Sequence, residues 1–263
     1  MQCLMSLGLC IALTGLALNI AYGYMLRLKG TAPMRAAGEE HVVDSLMGFA
    51  TYLALSSLAN YGGYVTAILL NNLGIPYIVK DPSSASIVFK NLYSSISSSL
   101  TQLYVTEVTL TTLPFISPVG YYLSEVSRYF TWQAQWALTN AYLLYYLSLM
   151  SARFNELLAL GLSLIPIRQV RWVGGILAAL GLVTPMYIVL MGNWTYARGI
   201  SVAIQPNLAN DIKGIVALGT NLFTLGGLLE EFNVVTDVTL ALYTSIVYGL
   251  SRFIGDIGLI LEF

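Results

Sequence analysis

Long runs without charge divide this chain, and polar or charged residues stand at their ends. Trp172 to Ala197 holds no charged side chain over 26 residues, and the turn Pro166-Ile167-Arg168-Gln169-Val170-Arg171 sets two arginines at its entrance. Met1 to Leu26, Ser45 to Ile78 and Tyr129 to Ala152 are uncharged as well. About 20 apolar residues suffice to cross the hydrocarbon core of a bilayer, so these four runs predict four membrane-spanning helices. Two more are expected from Gly214 to Leu229 and from Phe232 to Leu250. The fold class this implies is all-α, a polytopic transmembrane bundle of about six spans, with five to seven as the range.

The segment between the second and third runs follows a different rule. From Ile87 to Leu110 the residues Phe89, Leu92, Tyr93, Ile96, Leu100, Leu103 and Tyr104 fall on one helical face, with Ser94, Ser95, Ser97, Ser98, Ser99 and Thr101 between them. This predicts an amphipathic helix whose polar side is hydroxyl, ending near Pro114 and Pro118. A helix lying on lipid usually carries Lys or Arg on its wet face, and only Lys90 is available. Two roles fit: a loop helix resting on the bundle, or a wall lined by Ser95, Ser98 and Thr101 along a water-filled passage. The chain then reads as a single integral membrane domain over 1–263. It comprises a first span at 1–26, a second at 45–78, an external amphipathic segment at 82–128, central spans with the Pro-Arg-Gly turn at 129–197, and C-terminal helices at 198–263.

Composition agrees with lipid as the main solvent. Of 263 residues, 57% are hydrophobic and 10% charged, against about 25% charged in a soluble domain. The net charge of −1 leaves no basic face to hold a nucleic-acid backbone by counterion release. Cys3 and Cys10 share one face of the first helix, where they act as small apolar side chains. With His41 the one histidine, neither a disulfide framework nor a zinc site is expected. The first run has no basic segment ahead of it, while Arg27, Lys29 and Arg35 follow it, so it reads as a retained helix rather than a cleaved signal. Basic residues concentrate in Arg27–Asp44 and Arg153–Arg171. Both segments are expected to be cytoplasmic loops of a multi-pass protein in the cell membrane, with the N-terminus outside.

Chemistry-bearing motifs are few. No phosphate-binding glycine loop, paired-histidine zinc motif or nucleophile elbow occurs, so the chain is expected to be no enzyme and to need no cofactor or metal. His41, beside Glu39 and Glu40, reads as a solvated residue. Asp237 is the best intramembrane acid, although it could instead sit in the first turn of a helix begun after Glu230-Glu231, where the dipole favours an acid. Arg153 with Glu156 and Arg252 with Asp256 read as local ion pairs, and no buried acid–base set is evident. Asn193-Trp194-Thr195 is a glycosylation sequon close to a span end, most simply a chance match. Gly174, Ala178, Gly181 and Pro185 make a smooth stripe on the Trp172 helix along which another backbone can approach, from the same chain or from a second copy.

The stretch Gly161-Leu162-Ser163-Leu164-Ile165-Pro166-Ile167-Arg168-Gln169-Val170-Arg171-Trp172-Val173-Gly174-Gly175, followed by an Ala/Leu run to Pro185, resembles a segment of the TrbL-like polytopic proteins of conjugation and type IV secretion machines. It is most similar to that of their archaeal relatives, the CedA family of DNA-import systems. Gly161, Pro166, Arg168, Arg171 and Gly174 match position by position, over about Phe154 to Met191. The resemblance implies a membrane subunit of a DNA-transfer machine that forms or supports the translocation path. It further implies a homo-oligomer, a separate ATPase as partner, a pilus in some systems, and DNA as cargo. Few basic residues, Lys90, Arg168 and Arg171, are then available to line a path for DNA. Two other classes remain open from the residues: a small-solute or ion transporter or channel built on Asp237, Asn221 and the Gly226-Gly227 break, and a structural scaffold of a secretion or pilus assembly.

Overall fold

The computed structural model describes residues 2–112, 114–115, 117–200 and 212–256, which are mostly helical, without a strand among them. Among the described residues seven α-helices follow one another: α1 Gln2–Lys29, α2 Ala32–Asn72, α3 Pro82–Thr112, α4 Ser117–Met150, α5 Phe154–Leu164, α6 Arg171–Ala197 and α7 Ile212–Asp256. Short 3-10 turns at Ser151–Arg153 and Arg168–Val170 join α4 to α5 and lead into α6. Four stretches are long and apolar enough to cross a membrane: Leu9–Leu28, Ala32–Ala59, Arg168–Ala197 and Asn221–Asp256. The expected span at Tyr129–Ala152 is helical through Met150, but its amide and tyrosine side chains keep α4 out of that group.

Two expectations about connections are corrected. The expected C-terminal pair, Gly214–Leu229 and Phe232–Leu250, is one continuous helix of 45 residues, with Glu230 and Glu231 inside it and not at a turn. The expected loops Arg27–Asp44 and Arg153–Arg171 are mostly helix, since α2 begins at Ala32 and α5 fills Phe154–Leu164. Of the expected C-terminal segment, residues 201–211 and 257–263 lie outside the described residues, as does the side chain of Cys3; Cys10 is exposed.

The chain forms two compact units. The first comprises Met1–Leu69, Met150–Tyr187 and Leu242–Phe263. In it α1 and α2 form a hairpin turning at Gly30-Thr31, and a Cβ added to Gly23 would come within 2.8 Å of the Gly38 carbonyl oxygen. Arg27 and Glu39 pair across this hairpin at 2.8 Å. α5 and α6 form a second, tighter hairpin. A Cβ on Gly161 would stand 2.3 Å from the Ala178 nitrogen, one on Gly174 2.8 Å from the Gly161 oxygen, and one on Gly181 2.7 Å from the Leu158 backbone. Backbones this close require glycine, as in other membrane helix pairs where packing has to supply what hydrophobicity cannot. Ala12, Tyr52, Leu162, Ile165, Ala178 and Ile254 make the apolar centre of this unit.

The second unit comprises Leu70–Leu149 and Ile188–Ala241. α2 ends there at Gly74, whose φ of 68° lets Ile75 N–H reach back to the Leu70 oxygen at 2.9 Å and Gly74 N–H to Asn71 at 3.0 Å, the glycine-capped ending that satisfies orphan carbonyls. α3 starts on a reciprocal cap. Ser84 N–H donates to Asp81 Oδ1 at 2.8 Å, Asp81 N–H donates to Ser84 Oγ at 3.3 Å, and Pro82 occupies the first helical position. α3 buries Ala85, Phe89, Leu92, Ile96, Leu100 and Leu103 on one face, as its periodicity predicts. Tyr104, expected on that face, is exposed.

Candidate functional site

The residues of the Pro-Arg turn converge in the first unit. Between α5 and α6 the helical ladder is interrupted, which leaves the Ile165 and Pro166 carbonyls without helical partners. Two distant side chains supply the missing donors. Arg171 Nε donates to the Ile165 oxygen at 2.8 Å, and Asn19 Nδ2 on α1 donates to the Pro166 oxygen at 3.2 Å. Such irregular backbone survives among apolar helices only where other groups complete its hydrogen bonds.

The same Arg171 is nearly sealed from solvent, at 2% exposure, and forks onto the Asp44 carboxylate of α2 through both Nη atoms, with Nη2 to Oδ2 at 2.9 Å and to the Asp44 backbone oxygen at 3.1 Å. Arg168 pairs with Glu40 at 2.6 Å and stands 4.0 Å from Asp44. Gly48, one turn beyond Asp44, admits this cluster, because a Cβ there would meet Arg171 Nη2 and the Ile165 oxygen at 3.0 Å each. The expectation that no buried acid and base are paired is therefore corrected. Asp44 and Glu40 are the partners that sequence reasoning missed, and a signal existed: Asp44 is the last charge before the Ser45–Ile78 run and Arg171 the last before the Trp172 run. His41 is half-buried, edge-on to Tyr22, where a solvated side chain was expected.

The packing stripe of α6 is occupied within the chain. Gly174, Ala178 and Gly181 all face α5, and Pro185 lies further along α6, half-buried.

In the second unit a row of buried amides joins α4 to α7. Asn233 Nδ2 donates to the Gln133 oxygen at 3.1 Å and to Gln133 Oε1 at 3.0 Å, while Asn140 Nδ2 reaches Asn233 Oδ1 at 3.3 Å and Asp237 Oδ1 at 3.4 Å. Asp237 is thus a mid-helix, half-buried residue and not part of a first turn. Glu230 accepts from the Tyr129 hydroxyl and Glu231 pairs with Arg198 at 2.7 Å, which explains how the acidic pair fits inside a helix. On α3, Ser98 and Thr101 are exposed and Ser95 is half-buried. Thr101 bonds its own helix at the Ser97 oxygen, at 2.9 Å. Asn193 of the sequon is fully buried: its Oδ1 accepts from Ile78 and Val79 N–H at 2.7 Å each, and its Nδ2 donates to the Val79 oxygen at 2.7 Å. It has a structural task and no access for a glycan. Among the described residues no group of His, Cys, Asp and Glu has the makings of a metal site.

Comparison with protein families, with curated proteins and with solved structures finds no match to this chain.

Proposed function

We propose that this chain is a non-enzymatic, multi-pass subunit of the cell membrane in a DNA-transfer machine of the conjugation or DNA-import kind. Several copies assemble around or beside the path, and a separate ATPase supplies the energy. One observation carries the reading. Four of the five residues that resemble the TrbL-like pattern, Gly161, Pro166, Arg171 and Gly174, take part in one tight structural joint, and the fifth, Arg168, holds its outer edge. That every member of the motif is engaged gives the turn a structural role in this chain, and this supports the reading.

In this reading α1, α2, α6 and α7 each cross once, and α4 continuing through the 3-10 turn into α5 makes a fifth crossing. The α1–α2 hairpin and the charged turn lie on the cytoplasmic side, where basic residues favour them. α3 lies outside, with its hydroxyl face toward water. A second reading, a small-solute or ion transporter, draws support from the buried row Gln133, Asn140, Asn233 and Asp237.

Imaging the particle extracted in mild detergent by electron microscopy separates the two. A ring of several copies is the expected result. A monomer enclosing a small polar cavity beside Asp237 would replace the DNA reading with the transporter.

A further inference from the structure

Bare apolar side chains gather at the end of the second unit where α3 turns into α4. The two helices run antiparallel. Gln135 Nε2 donates to the Tyr104 hydroxyl at 3.1 Å, the Ser127 hydroxyl donates to Glu107, and a Cβ on Gly120 would stand 2.7 Å from the Thr111 nitrogen. Their turn therefore forms a projecting tip, with Phe115 98% exposed and Val108, Tyr121 and Tyr122 exposed around it. Residues 108–124 carry no charge, and Glu107, Glu125 and Arg128 stand at the base of the tip. Measured along α4 from its start at Ser117, Tyr121 and Tyr122 lie ~6 to 8 Å back from the tip and Glu125 ~12 Å back, at ~1.5 Å per residue.

An exposed apolar end of this kind marks a contact, and three features fit lipid as the occupant. The order of side chains is that of a bilayer read outward: phenylalanine at the tip, tyrosines behind it, where they favour the headgroup boundary, and charges behind those in water. The ~12 Å before Glu125 leaves room for the ~5–10 Å to which interfacial helices enter a bilayer. The threonines near the tip carry their own partners, since Thr109, Thr111 and Thr112 donate to the Val105, Glu107 and Thr109 oxygens of α3 at 2.7, 2.8 and 3.0 Å. These hydroxyls can enter a poorly hydrated layer without losing a hydrogen bond. In the proposed topology the crossing that ends at the charged turn takes ~20 residues, so it begins near Tyr145, and Ser117 lies ~40 Å outside it along α4. We infer that the α3–α4 tip is a lipid wedge for a second bilayer, one that faces the outer side of the membrane holding the chain. The inference rests on the place of α4 in the proposed topology and not on the cargo.

The test holds the full chain in nanodiscs and adds sucrose-loaded vesicles of neutral phosphatidylcholine, with empty nanodiscs as the blank. Co-sedimentation of the loaded nanodiscs with the vesicles is expected. Phe115→Ser and Tyr121→Ser change side chains that the fold leaves exposed, and each is expected to raise the vesicle concentration for half-binding by at least about tenfold, the effect of withdrawing one large side chain from lipid. Absence of binding by the unaltered chain overturns the inference, and so does binding that both variants retain in full. Binding lost at high salt overturns it as well, because charge would then carry the contact. Pairing of loaded nanodiscs without vesicles, abolished by Phe115→Ser, would assign the tip to a second copy and overturn the lipid wedge. A monomer that binds vesicles would retain this inference and remove the DNA reading, while a ring that does not bind them would do the reverse.

Discussion

Arg171 serves two masters, the Asp44 carboxylate and the orphan carbonyl of Ile165, and its removal strands both. Breaking one side of a buried pair costs about 3–5 kcal/mol, whereas exchanging both partners for apolar groups is often neutral. Arg171→Met is accordingly expected to lower thermal stability in detergent sharply, and Asp44→Leu combined with Arg171→Met to recover much of the loss. A double variant as damaged as the single one would mean that the Ile165 carbonyl, and not the carboxylate, sets the cost. Asp81 gives a pH-dependent counterpart outside the membrane. Donation from the Ser83 hydroxyl and the Ser84 N–H holds its carboxyl below the usual carboxylate range. A depressed folded-state pKa stabilises above the unfolded value, and the contribution is lost as pH falls through the folded one. Asp81→Ala is expected to cost about 1 kcal/mol at neutral pH, and the difference from the parent should vanish in acid below that range, read by thermal melts across pH.

Helices differ in how plainly the sequence marks them. α6 was legible almost to its ends because one property, absence of charge, marks both its length and its solvent. α3 was legible from its period, since Phe89, Leu92, Ile96 and Leu103 return to the same buried face. The start of α2 was not, because the polar residues Arg35 to Asp44 look like a loop until their partners are known: Arg27 for Glu39, Arg168 for Glu40 and Arg171 for Asp44. α7 was misread at Glu230-Glu231 for the same reason, as Tyr129 and Arg198 are remote in sequence. Glycines make the contrast measurable. A Cβ on Gly161 collides with the α6 backbone, while one on Gly227 meets nothing within 4 Å. Gly161→Ala is expected to split the α5–α6 hairpin and lose the folded protein in detergent, and Gly227→Ala to leave it intact, since alanine favours a helix interior over glycine by up to ~1 kcal/mol. Equal melting temperatures for the two variants would show that the hairpin tolerates separation.

At the scale of the whole molecule, the chain's order of synthesis becomes a physical constraint. The linker after α2 is tied down by Asn193, which accepts from Ile78 and Val79 and donates back to Val79 across a separation of 114 residues from Val79. Until that asparagine leaves the ribosome, the Val79 N–H and carbonyl lack the partner they have in the fold, and the Ile78 N–H keeps only its local bond to the Pro76 oxygen. At 5–20 residues per second the wait is about 6 to 23 seconds, long on the scale of helix formation. In the proposed topology the linker waits in water on the outer side, and α6 crosses toward it with its far end first, delivering Asn193 like a clasp to a strap already in place. Biogenesis of this protein thus has a late fastening step, and a nascent chain truncated just before residue 193 should leave the segment around Val79 open to protease while α2, which precedes it, is already inserted.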